Sequence, residues 1–253
     1  PVTLQTFPHL EQGTDEWLQA RAGVLTASVV GRFITERPVP ATDFDCPECD
    51  APADSPCVSK ARKEPAPIKT VHAARTDAAT ASGKPPLLVV ADSDLTRGMT
   101  ATLAAERITG HVEETPMTNA MWRGREEEPL ARAFYNQHHA PVAELGFMIR
   151  TFDNGHSLGY SPDGLVGTDG LIEIKSRMQK IQLLTFLDDE VPAENMAQIQ
   201  AGLLVSGREW LDYVAFCGGM PLYVKRVTPD PRWFAAILAA LDAFEATAAD
   251  MTD

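Results

Sequence analysis

Residues 157–176 read Ser-Leu-Gly-Tyr-Ser-Pro-Asp-Gly-Leu-Val-Gly-Thr-Asp-Gly-Leu-Ile-Glu-Ile-Lys-Ser, apolar runs punctuated at Pro162-Asp163-Gly164 and Gly167-Thr168-Asp169-Gly170. Turn residues between such runs predict a hairpin whose last strand covers residues 171–175. Side chains alternate across a strand, so Glu173 and Lys175 share one face while Ile172 and Ile174 take the other. The isoleucine face is ordinary core. On the opposite face the hairpin returns Asp163 towards a carboxylate and an ammonium. Those groups supply hard oxygen ligands for Mg²⁺ and a cation for the attacking water, as metal-assisted phosphodiester hydrolysis requires. A solvated, salt-bridging face gives the same letters, so further matches at fixed offsets must carry the reading.

The chain has 253 residues, enough for one sizeable core plus a small metal-stapled insert. Its formal net charge of −13 excludes a general polyanion-binding coat, so contact with DNA needs a local basic patch and metal ions that neutralise acids. No apolar run reaches membrane-spanning length, and the opening Pro-Val-Thr-Leu-Gln lacks a basic-then-apolar signal, so a cytoplasmic protein with no membrane partner is expected. Three of the four cysteines cluster, which is metal spacing rather than a disulfide framework.

Near the start, Thr14 followed by two acids predicts a helix, and Thr26 a second N-cap that places Ser28 in the first helical turn. Free N–H groups there suit an anion, and Arg21 could add a bidentate phosphate contact; a capped surface helix with a solvent-facing Arg fits the same residues. Trp17 is read either as a stacking platform for a base or as core. Residues 41–93 form an insert rich in Pro, Ala and Asp, without periodicity. Within it, Cys46, Cys49, Cys57 and His72 make up a Cys3His set, the closed tetrahedral arrangement of structural zinc. The positive charges Lys60, Arg62, Lys63, Lys69 and Arg75 stand against Glu64 as the best local basic patch, a candidate contact for DNA or a partner. The stretch 82–86 reads as a linker.

Further on, Asp94 is expected to cap a helix that buries Met99, Leu103 and Ile108 and closes at Gly110. A second helical stretch holds Glu128, Ala131, Arg132 and Tyr135 at one-turn spacing, with Pro129 a candidate for a new turn. Strands are expected near 147–152, 210–216 and 222–227. Helices are expected over 180–187 and 192–207, and from Pro231 onwards with a stripe through Phe234, Ile237, Leu238, Leu241 and Phe244. Gln198 and Gln200 lie on different helix faces, so at most one is expected to look inward.

Four separated motifs, in order, resemble the lambda exonuclease and YqaJ-like viral recombinase family of the PD-(D/E)xK nuclease superfamily. They are Trp-x3-Arg-x-Gly-x2-Thr-Ala-Ser at 17–28, Gly-x3-Glu-x2-Ala-Arg at 124–132, Ser-Pro-Asp-Gly with Glu-Ile-Lys at 161–175, and Met-Ala-Gln-x-Gln at 196–200. The resemblance implies a restriction-endonuclease-like α/β fold, a mixed central sheet flanked by helices, with the nuclease domain over 1–40 and 94–253 and the zinc-binding module and linker inserted at 41–93. It implies that Asp163, Glu173, the Ile174 carbonyl and Glu128 hold two Mg²⁺ or Mn²⁺ ions. Lys175 and Gln198 would manage the attacking water, and Arg21 and Ser28 would hold a DNA 5′-phosphate. The implied activity is 5′-to-3′ digestion of one strand at duplex ends, in the cytoplasm of a bacterial host if the gene is a phage's. The implied partners are a single-strand annealing protein and further copies of the chain, as a trimer. The alternatives are an endonuclease on the same core and a non-catalytic, zinc-stapled DNA-binding or adaptor module.

Overall fold

The protein is described by a computed structural model that covers residues 2–59, 64–113 and 116–252. The elements begin with β1 (Thr3–Phe7), α1 (Asp15–Arg21), β2 (Leu25–Thr26), α2 (Ala27–Val30) and β3 (Ile34–Arg37). Next come β4 (Val58–Ser59), β5 (Ala66–Pro67), α3 (Ala73–Ala81), β6 (Leu87–Val90), α4 (Asp94–Thr109) and α5 (Asn119–His138). The C-terminal half holds β7 (Val142–Ala143), β8 (Phe147–Thr151), β9 (Ser157–Tyr160), β10 (Gly164–Val166) and β11 (Gly170–Ser176). It ends with α6 (Gln179–Asp188), α7 (Ala193–Ser206), β12 (Trp210–Phe216), β13 (Tyr223–Val227) and α8 (Pro231–Thr252). Two compact units result, one of Pro1–Ile34 with Val90–Asp253 and the other of Thr35–Val89.

The larger unit is mixed α/β, as its element order predicts, with the strands divided between two sheets ordered β1-β8-β9-β2 and β13-β12-β11-β10-β7. The parallel pair β11–β12 needs a long crossover, which α6 and α7 supply. Alternation splits these two strands cleanly. Leu171, Leu211, Tyr213 and Ala215 join the main core with α7 and α8, whereas Ile172, Ile174, Val214 and Phe216 face Ala131 and Tyr135 of α5. Within that second face Tyr135 donates to Asp212 at 2.7 Å, and Arg226 pairs with Asp212 while lying 3.6 Å over Trp210, so the carboxylate buried in β12 is satisfied.

The structure corrects several expectations. Residues 157–176 are not one hairpin. The hairpin is β10–β11, whereas β9 pairs with β8 and β2 in the other sheet, so 161–163 is a crossing between sheets with Asp163 at its corner. Pro-Asp-Gly encodes a change of direction, and distant partners decide which strands it joins. Ser93, not Asp94, caps α4, through a capping box with Thr96. Its buried stripe is Thr96, Thr100 and Ala104, and Ile108 is exposed. Thr26 stands at the N-cap of α2 without a side-chain cap bond, because its hydroxyl meets Arg21 and Ser28 instead. Pro129 lies inside a continuous α5. Gln200 is buried as well as Gln198 is engaged, its amide bonding Thr228 and Asp230. The loop residue His156 is hydrogen-bonded to Asp242 at 2.7 Å.

In the smaller unit the insert contains a helix, α3, and Arg75 on it is fully buried rather than part of a surface patch. Its guanidinium donates to the carbonyls of Phe44, Ser55, Thr42 and Pro52 at 2.7–3.2 Å. Lys60, Arg62 and Lys63 of the expected patch lie outside the described residues. Arg75→Met keeps the stem but strands four carbonyls. It is expected to destabilise this unit by on the order of 3–5 kcal/mol, read as faster amide hydrogen exchange across residues 42–57. No helix among the described residues is long and apolar enough to cross a membrane.

Candidate active site

Beyond the Gly164–Ile172 pair the β10–β11 ladder ends, as the chain turns away at Pro162-Asp163. The Ile174 amide therefore donates to a side chain, Asp163 Oδ2, at 2.6 Å. This one bond fixes the corner carboxylate beside β11. Glu173, on the main-core face of the same strand, is 1% exposed. Lys175 Nζ donates to Glu173 Oε1 at 2.7 Å and to Gln198 Oε1 at 3.0 Å, and the Gln198 amide donates to the same Glu173 oxygen. Glu128 arrives from α5, paired one turn along its own helix with Arg132, whose Nε donates to the Asp163 carbonyl at 2.8 Å.

Arg21 approaches from α1. The backbone that follows it is held by α4, since Gly23 N donates to Glu106 at 2.8 Å and Arg107 Nε donates to Gly23 O at 2.7 Å. The Arg21 guanidinium lies 4.1 Å over the Trp17 ring and donates to Thr26 Oγ1 at 3.2 Å. Trp17 is half-buried and donates through Nε1 to Ser161 Oγ at 2.9 Å, so one ring face is covered by Arg21 and its polar edge is tied to the segment that carries Asp163.

Arg21, Thr26, Ser28, Glu128, Asp163 and Glu173, with Ile174, Lys175 and Gln198, line one cavity of about 180 Å³. Every residue expected at the nuclease site from the four motifs is thus brought to one place, except Trp17, which lines the adjoining groove together with Glu128 and Asp163. The electrostatics are those of acids crowded without enough positive charge. Burial, and then the charges of Glu173 and Glu128, hold the Asp163 carboxyl well above the usual range. Burial also raises Glu128, with Arg132 opposing and Glu173 adding to the rise. For Lys175, burial works against the ammonium, but Glu173 and Asp163 outweigh it and the net shift is upward. Three carboxylates around a polar cavity beside one ammonium are a donor set that fits hard divalent cations.

The second cluster lies in the smaller unit. The ligand atoms of Cys46, Cys49, Cys57 and His72 all fall within 4.8 Å of one another. His72 Nδ1 is 3.5 Å from Cys46 Sγ, close to the roughly 3.6 Å that tetrahedral zinc imposes between a sulfur and a nitrogen ligand. Its other nitrogen is 3.4 Å from the Glu48 carboxylate, the usual outer partner of a metal-binding imidazole. Arg75 adds a donor to Cys57 Sγ at 3.5 Å. The cluster fits zinc.

Sequence reasoning missed Tyr160, whose hydroxyl donates to Glu173 Oε2 at 3.2 Å, and the role of Arg132 in holding two acidic segments. Tyr160 reads as core in a strand, and Arg132 as an ordinary helix-surface partner; only the Ala-Arg of the motif at 124–132 hinted at the latter.

The fold and the Asp163, Glu173, Lys175 geometry define a restriction-endonuclease-like α/β protein of the PD-(D/E)xK type. The family model described as "YqaJ-like viral recombinase domain" matches residues 73–209, more than half of the chain. The chain belongs to the YqaJ-like viral recombinase family. A second model, "Putative DNA-binding phage zinc finger domain", matches residues 12–90. Among solved structures, the chain is similar to an alkaline exonuclease, LHK-Exo, from Laribacter hongkongensis, with 27% identity, 94% of each chain covered and a TM-score of 0.61. The same exonuclease in complex with dAMP matches with 26% identity, 94% of each chain covered and a TM-score of 0.61. No curated protein matches the chain.

Proposed function

We propose that this chain is a metal-dependent exonuclease that degrades one strand of duplex DNA from a 5′ end and leaves a 3′ single strand. The observation that carries the reading is the shared cavity, lined by a guanidinium, a helix-start hydroxyl, three acids, an ammonium and an amide. The likeness to an alkaline exonuclease at 27% identity over 94% of both chains supports the same reaction class.

Asp163, Glu173 and Glu128, with the Ile174 carbonyl, would hold Mg²⁺ or Mn²⁺. Bound there, the cations supply neutralisation of the phosphate and a readily ionised water. Arg21 and Ser28 bind the terminal 5′-phosphate, which sets the first phosphodiester at the acids. Lys175, steadied by Gln198 Oε1, orients the attacking water and takes its proton. The upward pull on Lys175 comes from Glu173 and Asp163, so whatever neutralises those charges lets Lys175 give up its own proton more easily and stand as the neutral amine that can take one from water. The Cys3His cluster binds structural zinc. By the family resemblance, the working form is a trimer that hands its 3′ strand to a single-strand annealing protein.

The deciding experiment incubates linear, 5′-phosphorylated duplex and closed circular plasmid side by side, with Mg²⁺ or with chelator. Mononucleotides released from linear DNA only, and only with Mg²⁺, are expected. Nicked circles would instead make this an endonuclease on the same core, and no cleavage would leave a DNA-binding or adaptor module. Arg21→Ala is expected to slow digestion of 5′-phosphorylated ends by about 10²-fold, the scale of a lost charge-assisted contact of about 3 kcal/mol, while barely changing 5′-hydroxyl ends. An equal loss on both ends would remove the phosphate role from Arg21.

A further inference from the structure

We infer that Tyr160 is a positioning residue for the candidate metal site, and that Gly202 is the accommodation in α7 that lets it serve. The inference rests on the nuclease reading above and adds a residue to it that the four motifs do not assign.

Glu173 is almost wholly buried in the middle of a sheet, where a carboxylate left free to rotate would be a poor ligand. Its two oxygens are held differently. Oε1 accepts from Lys175 Nζ at 2.7 Å and from the Gln198 amide, and Oε2 accepts from the Tyr160 hydroxyl at 3.2 Å. A carboxylate offers about four lone-pair positions, so three donors from the chain leave roughly one for a cation. Lys175 and Gln198 already belong to the expected water-handling pair. Tyr160 is the remaining constraint, and among the described residues it is the donor on the second oxygen.

The phenol can reach because of how two elements meet. Tyr160 ends β9 and is 1% exposed, and its ring lies against α7 where that helix has Gly202. A Cβ at position 202 would stand 2.7 Å from the ring carbon that bears the hydroxyl, closer than such atoms pack. A glycine within a helix costs about 1 kcal/mol relative to alanine, and here its missing Cβ leaves the space that the ring fills. Outer-shell donors of this kind typically contribute 10–100-fold in metal affinity.

The test measures Mn²⁺ binding directly, by calorimetric titration of the full chain without DNA, for the native protein, Tyr160→Phe and Gly202→Ala. Tyr160→Phe keeps the ring and the fold, and its Mn²⁺ Kd is expected to weaken by about tenfold or more. Gly202→Ala keeps the hydroxyl but displaces it, so it is expected to weaken binding as well, and the double variant to be no worse than the poorer single one. An Mn²⁺ Kd unchanged or tightened in a folded Tyr160→Phe protein overturns the inference while leaving the nuclease reading in place. Native protein that binds no Mn²⁺ sinks the metal site itself, and with it this role for Tyr160. Circular dichroism and a urea midpoint for each variant separate a lost hydrogen bond from a lost fold. Should Tyr160→Phe fail to fold, Gly202→Ala with normal Mn²⁺ affinity also overturns the inference.

Discussion

Asp163→Asn is expected to abolish cleavage of linear duplex DNA, a loss of about 10³-fold or more, while raising the urea midpoint of the protein in chelator. The two effects have one cause. Asp163 sits in a part-buried corner beside Glu173 and Glu128, and burial together with their charges lifts its carboxyl above the ordinary range. A carboxyl whose folded pKa is raised contributes stability that is fully present below its unfolded value, near 4, and is lost as pH rises through the folded pKa. Above its folded pKa the ionised group therefore costs stability. An asparagine removes the charge and retains an oxygen for the Ile174 amide that Asp163 now accepts at 2.6 Å. The gain in midpoint should shrink as pH falls towards the carboxylate range, since protonation does to the native residue what the amide does to the variant. Residual cutting at the native rate, or a midpoint lowered at neutral pH, would mean that the acids are not crowded as described.

Cys49→Ser, or removal of zinc by a strong chelator, is expected to unfold the Thr35–Val89 unit while the larger unit keeps its protection. The apolar cluster of this unit consists of Cys46, Cys49, Ala51 and Cys57, with Val58 and Ile68 packed against it, so its core and its ligands are largely the same side chains. A core of that size cannot by itself offset the chain entropy of ordering the unit, and zinc binding, which exists only in the folded state, adds the stabilisation it lacks. Hydrogen exchange should show the amides of Cys46 and Ile68, which donate to Ala51 and Cys57 carbonyls at 2.8 Å, exchanging at unfolded rates once the metal is gone. Protection in β11 and β12 should be unchanged. Metal analysis should find one zinc per chain, and a metal-free protein with those insert amides still protected would contradict the account.

How much of this was legible depended on how local the encoding is. Glu173 and Lys175 could be read directly, because alternation along one strand fixes their common face whatever the partners are. The stops at Gly110 and Gly207 were equally local. The corner at Asp163 was not: its turn residues look the same whether the chain folds back or crosses to another sheet, and the choice lies with β8 and β2, each distant from β10 or too short to show a pattern. The strand β1 escaped notice because it is almost wholly exposed along its length and carries no buried face. Arg75 misled for a related reason, since a charge in a basic-looking stretch gives no sign that four carbonyls surround it. Tyr160 and Gly202 are a pair only in three dimensions.

The central claim is that Asp163, Glu173 and Glu128, from three separate elements, converge on divalent cations beside Lys175. The most direct measurement is anomalous diffraction from crystals of the protein soaked in Mn²⁺. Peaks within about 2.0–2.3 Å of the Asp163 and Glu173 carboxylates, lost in Asp163→Asn crystals, are expected. Crystals that bind Mn²⁺ elsewhere while leaving those two carboxylates bare, or that place Glu128 outside the shared cavity, would contradict the account.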